Sequence, residues 1–313
     1  MKRLFWQAQI GAMRACPPLC GVVSSESLGA ANSPKVWTKI LLRLAGQAPR
    51  VLLLHVRDKW NRRVVLPRLS VTVTTRCTLN CEKCVGHMPY LKNHRDVPSD
   101  ELVQDIQALL SCVDYIYAVL LSGGEVFLHP DLAEIIRACA DPGKIGGICI
   151  ITNGTVIPDA ETLAALGEAK VTVLISKYAP ELQPDVERLK SILKENGIHY
   201  LHECGTSWSD MGEFGGLKEG SAKRRFSVCV QQLCLICFSG KLHLCGQSAL
   251  LMEEGLHPGN EDEYIDLRAV RPAEFRGQWE KLRRKRVISA CSYCLGTTYQ
   301  SPKAPVAVQH KSA

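Results

Sequence analysis

Three cysteines in the run CTLNCEKC, at positions 77, 81 and 84, constrain this chain more than any other feature of its sequence. The C-x3-C-x2-C spacing places the thiolates of Cys77, Cys81 and Cys84 on one short loop. Such a loop can hold three corners of a cuboidal iron–sulfur cluster and leave the fourth iron open for chemistry, whereas a cluster that only carries electrons is closed by a fourth cysteine. The alternative is a structural zinc with His87 as its fourth ligand. The loop is therefore a predicted metal centre, with iron–sulfur and zinc both open.

The segment before this loop predicts a β-strand, because residues 69–74 alternate and are rich in β-branched side chains. The loop then follows the carboxyl end of a strand, which is where α/β folds place their active sites.

Alternating strands and helices are predicted beyond the loop. We expect Ser99 to cap a helix whose apolar face contains Leu102, Ile106, Leu109, Leu110 and Val113. Further strands are predicted at residues 116–121, 148–152, 171–175 and 198–202, with helices at 131–140, 158–166 and 184–195. Short connections between alternating elements imply a parallel sheet, either open or closed into a barrel.

Composition indicates a globular cytoplasmic protein. Of its 313 residues 46% are hydrophobic and 22% are charged, and its 15 cysteines suit metal-bound thiols in a reducing compartment. We find no convincing secretory signal and no apolar stretch long enough to span a membrane, so no membrane is expected. The net charge is +7, but the basic runs at 223–225 and 281–286 lack interleaved aromatic residues, so nucleic acid is not an expected partner.

Four motifs occur in the order seen in radical S-adenosylmethionine (radical SAM) enzymes, which the chain resembles over residues 67–205. They are the cysteine loop, the Gly-Gly-Glu turn at 123–125, the Ile-Thr-Asn-Gly turn at 151–154, and Ser176. The resemblance implies an α/β fold with a partial (β/α)6 barrel, a 4Fe–4S cluster and SAM. It assigns the cluster to Cys77, Cys81 and Cys84, the ammonium of SAM to Gly123, Gly124 and Glu125, and the carboxylate and ribose region to Asn153 and Ser176.

The resemblance also implies the chemistry. One electron from the cluster cleaves SAM to methionine and a 5′-deoxyadenosyl radical, which abstracts hydrogen from a substrate. An electron donor such as flavodoxin or ferredoxin is the expected partner. Two positions depart from the family pattern: Lys83 stands where many members have an aromatic residue, and Val126 where many have proline. The first puts the usual packing against adenine in doubt.

The last third of the chain contains a second group of cysteines. Cys229 precedes a predicted β-hairpin that turns at Gly240, Cys245 follows it, and a C-x2-C pair stands at 291 and 294. Four such thiolates can complete one metal site, and one interpretation of that site is a zinc ribbon. The arrangement resembles the twitch or SPASM appendages of radical SAM enzymes. That resemblance implies a second, auxiliary 4Fe–4S cluster on Cys229, Cys245, Cys291 and Cys294, with Cys234 as first substitute; too few cysteines remain for a two-cluster SPASM, which favours the twitch.

Three regions are thus expected: an extension at 1–66 packing on the barrel, the barrel at 67–205 and the small hairpin-and-helix twitch domain at 206–313. Residues 51–54 are expected to pack on the barrel as part of the extension. Cys112, Cys139, Cys149 and Cys204 are expected in the core, and Cys16 and Cys20 receive no role.

The predicted function is a radical SAM oxidoreductase acting on an unidentified small molecule or peptide. Two alternatives stay open, a maturase of a ribosomal peptide and a noncatalytic, zinc-stabilised binding protein. Candidate substrate contacts follow the last barrel strands, and they are Tyr178, His199, His202, Glu203, Trp208 and Asp210.

Overall fold

A computed structural model describes residues 49–203, 207–212, 218, 220–257 and 259–310. Within them, twelve strands are β1 Val65–Leu66, β2 Leu69–Thr74, β3 Tyr115–Ile116, β4 Val119–Gly123, β5 Ile148–Thr152, β6 Thr172–Ser176, β7 Tyr200–Glu203, β8 Trp208–Ser209, β9 Leu235–Phe238, β10 Lys241–His243, β11 Tyr264–Asp266 and β12 Lys303–Ala304. The helices are α1 at 49–60, α2 Ser99–Cys112, α3 Leu132–Ala138, α4 Ala160–Glu168, α5 Val186–Glu195, α6 Ala222–Phe226, α7 Gly246–Glu253 and α8 Pro272–Arg283.

One sheet organises the described part of the chain, with eight strands in the order β11-β10-β9-β2-β4-β5-β6-β7. The strands from β9 to β7 are parallel to their neighbours, while β10 and β11 run antiparallel at one edge. Helices α2 to α5 connect the successive parallel strands. This largely parallel sheet confirms the predicted α/β fold and the partial barrel. It also brings the carboxyl ends of β2, β4, β5 and β6 to the same edge.

Strand β2 shows how the sequence builds the core. All six of its residues are buried. Leu69, Val71 and Val73 belong to the main hydrophobic core, whereas Ser70 and the threonines alternate onto the opposite face, as the two-residue period of a strand requires. The predicted helix face is confirmed for Leu102, Ile106 and Leu109, which are all buried. Leu110 is only partly buried, and Val113 lies just beyond the helix end.

Two local expectations are wrong. Ser99 does not cap α2: Pro98 occupies the N-cap position, and Ser99 is the first helical residue, so its hydroxyl is not placed to accept the first free amides. The segment 116–121 is not one strand, because Tyr115 and Ile116 pair with β1 in a separate two-stranded sheet and the chain rejoins the main sheet at Val119. By contrast, the predicted strand at 148–152 matches β5 residue for residue.

The predicted hairpin is confirmed, and it joins the barrel's own sheet. β9 and β10 pair in antiparallel register across a two-residue turn at Ser239 and Gly240, with φ of 48° and 72°, the left-handed geometry of a tight hairpin. β9 also pairs in parallel with β2. The sheet therefore continues across the boundary predicted at 205/206, and the division into separate domains stays a prediction.

The described part of the predicted extension, residues 49–66, contains the helix α1 and the strand β1. Val51 packs inward, but Leu52 and Leu53 are 62% and 69% exposed, so the expectation that residues 51–54 pack as one apolar segment is wrong for these two leucines. The inward face is completed by Asp58, which accepts hydrogen bonds from Arg57 and Arg63. Cys16, Cys20 and Cys204 lie outside the described residues. Among the described helices, none is long and apolar enough to cross a membrane.

Candidate functional site

The cysteine loop is anchored where it leaves β2. The guanidinium of Arg76 donates to both carboxylate oxygens of Asp96, at 3.0 and 2.7 Å, and the hydroxyl of Thr74 donates to the same carboxylate at 2.7 Å. A bidentate arginine–carboxylate pair fixes orientation as well as distance. The start of the loop is therefore held against the segment at 95–97.

The Gly-Gly turn at the end of β4 lies directly under this loop. The Gly124 amide donates to the Thr74 carbonyl at 2.9 Å and the Glu125 amide to the Arg76 carbonyl at 2.8 Å. A Cβ on Gly123 would stand 2.0 Å from the Thr74 oxygen, and one on Gly124 would stand 2.0 Å from the Arg76 oxygen. Side chains cannot fit there, so the two glycines are required for the cysteine loop to pack on the turn, whatever else their carbonyls bind.

The three loop thiols are largely shielded from solvent, and two of their sulfurs accept weak hydrogen bonds. Burial raises the pKa of Cys77, of Cys84 and, to about 11, of Cys81, and the neighbouring thiols add to the shift of Cys77 and Cys81. Asn153 donates to the Cys77 sulfur at 3.6 Å, and Gln309 donates to the Cys81 sulfur at 3.2 Å. These soft sulfur donors suit an iron–sulfur cluster. Among the described residues, no three His, Cys, Asp or Glu side chains group closely enough to hold one metal ion.

His87, the fourth ligand of the zinc reading, has both ring nitrogens engaged. Nε2 lies 3.1 Å from the Gly212 carbonyl and Nδ1 lies 3.0 Å from the side-chain nitrogen of Gln247. Since a carbonyl can only accept and the amide nitrogen only donates, Nε2 carries the proton. Burial lowers the pKa of His87, consistent with a neutral ring. The ring therefore serves as a packing and hydrogen-bonding neighbour of the loop in this structure.

Glu125 is fully buried, and its carboxylate faces three donors. It accepts hydrogen bonds from the Thr152 hydroxyl at 2.8 Å, the Asn153 amide at 2.7 Å and the Phe127 amide at 3.1 Å. Burial raises the pKa of Glu125 to about 7, and these three hydrogen bonds oppose the rise. The carboxylate predicted to receive an ammonium thus also ties the β4 turn to the β5 turn.

Asn153 and Ser176 stand at the carboxyl ends of β5 and β6, and a residue without a sequence signal links them. The side chain of Asn153 donates to the Thr78 hydroxyl at 2.9 Å, within the cysteine loop. Buried Gln183 donates to the carbonyl of Ser176 at 2.7 Å and also to the carbonyl of Asn153. Its oxygen accepts from the Tyr178 amide at 2.8 Å. The cysteine loop and the three predicted SAM-contact turns therefore form one hydrogen-bonded edge.

The cysteines of the second group face a common cavity. A cavity of about 30 Å³ is lined by Cys229, Cys245, Cys291 and Cys294. Burial raises the pKa of all four thiols, to about 12 for Cys291 and Cys294. Other thiols of the group add to the shifts of Cys245, Cys291 and Cys294, whereas Cys234 adds to that of Cys229. Backbone amides at 296 and 297 donate to the sulfurs of Cys294 and Cys229, at 3.1 and 3.4 Å.

Cys234, the predicted substitute, stands close enough to Cys229 to influence its pKa but does not line the cavity. The remaining described cysteines lie apart from both groups. Cys139 is fully enclosed in the core as predicted, while Cys112 and Cys149 are only partly buried.

The candidate substrate residues fall into two places. Tyr178 and Trp208 meet edge to face with ring centroids 6.0 Å apart, and Asp210 pairs with Lys83 at 3.3 Å, so the lysine that replaces the family's aromatic residue binds a carboxylate beyond β8. His202 and Glu203 lie in β7, the last strand of the sheet, and His199 directly precedes it.

A larger cavity, of about 310 Å³, lies at the other end of the sheet. Its lining includes Val65 and Leu235, the first residues of β1 and β9, together with Trp279 and several arginines. None of the predicted site residues lines it. Because α/β folds place their chemistry at the carboxyl ends of parallel strands, we do not take this cavity for the active site.

Comparison with known families gives one domain match. The model described as the Radical SAM superfamily matches residues 71–202, which run from β2 into β7 and include the cysteine loop, the Gly-Gly-Glu turn, Asn153 and Ser176.

Similar curated proteins are named GTP 3′,8-cyclases. The one from Limosilactobacillus fermentum is 26% identical over 142 residues, covering 42% of this chain and 42% of the relative. GTP 3′,8-cyclase 1 of Mycobacterium tuberculosis is 29% identical over 166 residues, covering 51% of this chain and 43% of the relative. The protein of Listeria welshimeri is 30% identical over 156 residues, covering 48% of this chain and 45% of the relative. The chain thus spans less than half the length of these relatives.

Among solved structures, anSMEcpe with bound AdoMet is 20% identical, with a TM-score of 0.37, covering 46% of this chain and 44% of that chain. Streptococcus suis SuiB bound to the precursor peptide SuiA is 19% identical, with a TM-score of 0.36, covering 51% of this chain and 37% of that chain. BtrN in complex with AdoMet and 2-DOIA is 13% identical, with a TM-score of 0.45, covering 73% of this chain and 92% of that chain.

Proposed function

Because the chain belongs to the radical SAM superfamily, whose cofactors are a 4Fe–4S cluster and SAM, we propose that it is an oxidoreductase that dehydrogenates its substrate with the help of a second, auxiliary cluster. Cys77, Cys81 and Cys84 would hold a cluster that, when reduced, would supply the electron for SAM cleavage and hence for abstraction of a substrate hydrogen. A reductant is required, and flavodoxin or ferredoxin is the proposed donor.

The observation that supports this proposal most directly is the packing of the cysteine loop on the Gly-Gly turn. Cys77, Cys81 and Cys84 would hold the cluster. The amides of Gly124 and Glu125 donate to the backbone that leads into the loop, and the carbonyls of Gly123 and Gly124 would receive the ammonium of SAM. Glu125 adds negative charge at the same turn, although its three internal hydrogen bonds make orientation of the turn its main contribution.

Asn153 and Ser176 would meet the carboxylate and ribose of SAM. The side-chain amide of Asn153 donates to the Thr78 hydroxyl and approaches the Cys77 sulfur. It therefore helps to hold the cysteine loop and would also offer a hydrogen-bond donor to SAM. Gln183 holds the backbone of both turns. These residues bind and orient; among them, no group is required to move a proton.

The auxiliary cluster would be held by Cys229, Cys245, Cys291 and Cys294, because these four thiols line one small cavity and have backbone amides directed at two of their sulfurs. Such a cluster can take up the electron left on a substrate radical after hydrogen abstraction, which is what dehydrogenation requires. The substrate is a small molecule or a peptide. GTP is included as a test compound because the curated relatives are named for it, although this chain spans less than half of their length.

Anaerobic reconstitution with iron and sulfide tests the proposal. We expect about eight irons per chain, and release of 5′-deoxyadenosine when dithionite and SAM are added. Replacement of Cys81 by alanine should abolish this release, whereas replacement of Cys112, a helix-end cysteine outside both groups, should not. Zinc in place of iron, together with no cleavage of SAM, would instead support the noncatalytic binding protein.

A matched pair of variants tests the auxiliary site. Cys229→Ser should reduce the iron content to about four and leave SAM cleavage measurable, while Cys234→Ser should keep about eight. The reverse result would assign the ligand to Cys234. Product analysis with GTP and with peptides tests the reaction class: loss of two hydrogens without a new ring or crosslink supports the oxidoreductase, whereas an isomeric product, or a peptide crosslink formed with the same loss, would contradict it.

A further inference from the structure

A segment near the end of the described chain lies along the cysteine loop. Residues 303–310, here called the cover segment, approach the loop in an antiparallel bridge between Cys81 and Gln309. The amide of Glu82 donates to the Val308 carbonyl at 2.8 Å, and the amide of His310 donates to the Asn80 carbonyl at 2.8 Å. Two backbone hydrogen bonds therefore fix the register in which Gln309 faces Cys81.

The side chain of Gln309 is fully paired in this position. Its oxygen accepts from the Asn80 amide at 2.8 Å, while its nitrogen donates to the Ala307 carbonyl at 2.8 Å and to the Cys81 sulfur at 3.2 Å. The orientation of the amide group is settled by these partners, since the Asn80 amide needs an acceptor and the Ala307 carbonyl needs a donor. One N–H of Gln309 is thus left to point at the sulfur.

We propose that Gln309 is a positioning residue that raises the reduction potential of the cluster held by Cys77, Cys81 and Cys84, by donating an N–H to the Cys81 sulfur. The inference rests on the proposed function, because it requires a cluster on this loop. Reduction adds one electron from an external donor and forms or breaks no bond in the protein. The positive end of the N–H dipole stabilises the extra negative charge, and hydrogen bonds to cluster sulfurs and solvent exposure are established determinants of potential.

Two substitutions separate this role from a structural one. Gln309→Leu removes the donor to Cys81 and to the Ala307 carbonyl as well as the acceptor for Asn80. Gln309→Glu loses the same donor but keeps an oxygen for Asn80, and it places a negative charge beside the sulfur. If the donor tunes the cluster, the potentials should fall in the order wild type, Gln309→Leu, Gln309→Glu. If Gln309 only held the loop, Gln309→Glu should be the milder change.

The experiment is a dithionite titration of each reconstituted protein, followed by electron paramagnetic resonance. The signal that changes on addition of SAM identifies the cluster on this loop and separates it from any auxiliary cluster. We expect Gln309→Leu to shift the reduction equilibrium toward the oxidised form by about tenfold, which for one electron is about 59 mV, and Gln309→Glu to shift it further. Val308→Ala is the matched control, because the side chain of Val308 is exposed and its carbonyl hydrogen bond is retained.

Equal potentials in wild type, Gln309→Leu and Gln309→Glu would overturn the inference while leaving the proposed function intact, provided that wild type still cleaves SAM. A shift of the same size in Val308→Ala would also overturn it, since the effect would then belong to the cover segment as a whole. If the wild-type loop binds no iron–sulfur cluster, the proposed function and this inference both fail.

Discussion

Replacement of Glu125 by glutamine should destabilise the fold, although the two side chains have nearly the same shape. The buried carboxylate accepts from the Thr152 hydroxyl at 2.8 Å, the Asn153 amide at 2.7 Å and the Phe127 amide at 3.1 Å. A glutamine side chain has one oxygen and one NH2 group. If its oxygen serves Thr152 and Phe127, its NH2 faces the Asn153 amide, and two donors meet without an acceptor.

The size of the loss follows from these contacts. One buried amide left unpaired costs about 1–3 kcal/mol, and the two remaining hydrogen bonds lose the extra strength that a charged acceptor gives, roughly another 1 kcal/mol. Glutamine is spared the cost of burying a charge, which is the reason that the pKa of Glu125 is raised to about 7. We expect a net loss of about 2 kcal/mol in the free energy of unfolding.

Urea unfolding of the metal-free, reduced protein at pH 8 measures this loss. Glu134→Gln is the control, because Glu134 is an exposed helical residue and such changes stay within about 0.5 kcal/mol. A Glu125→Gln variant as stable as the control would refute the reasoning, because the three donors would then not depend on a charged acceptor.

The stability difference between wild type and Glu125→Gln should depend on pH, and the raised pKa of Glu125 sets the sign of that dependence. Because burial raises the pKa of folded Glu125 from 4.5 to about 7, the folded state keeps a proton that the unfolded state has lost between these values, so this group's contribution to stability falls as the pH rises through that window. Glutamine has no such group. The stability difference between wild type and Glu125→Gln should therefore be larger at pH 5 than at pH 8, and a difference that grows with pH would contradict burial as the dominant cause.

Two further substitutions test the packing around the site. Gly124→Ala should lower the free energy of unfolding by more than about 2 kcal/mol and prevent iron loading, because the new Cβ would stand 2.0 Å from the Arg76 oxygen, whereas Gly147→Ala meets nothing within 4 Å and should retain the cluster; iron analysis and urea unfolding check both. Arg268→Ala removes the partner of buried Asp105, bonded at 2.8 Å, and should cost about 2 kcal/mol in urea unfolding, less than the roughly 3–5 kcal/mol of a fully buried pair because Arg268 is half exposed. A loss below about 0.5 kcal/mol would mean that water replaces the arginine.

Local sequence pattern correctly predicted the elements that are determined by their own residues rather than by a partner distant in the sequence. The alternation at 148–152 defines β5, and Gly240 marks the hairpin because a left-handed turn favours glycine there. Where a long-range partner decides the outcome, pattern alone was insufficient. Tyr115 and Ile116 leave the main sheet because β1, about fifty residues earlier, offers a separate pairing, and nothing in the local sequence indicates this.

The same distinction holds in the candidate site. The cysteines stand out because their spacing is itself the signal. Gln183 and Gln309 do not, since glutamine is common on surfaces and each acts through a contact distant in sequence, 228 residues away for Gln309 and Cys81. The steric need for Gly123 and Gly124 was likewise hidden, because it comes from the backbone of the cysteine loop rather than from the turn.

Contacts between the two cysteine groups bear on how the chain is organised. Gln247 lines the cavity of the second group and donates to His87, three residues beyond the last cysteine of the first. β9 pairs with β2, the strand that leads into the first loop. Within the described residues, the two groups are therefore connected through the sheet and through the side chain of Gln247. For that reason we expect folding of the whole chain to set the distance between the two cysteine groups, so that under the proposed function a substrate radical formed at the first group would meet the second in a fixed position.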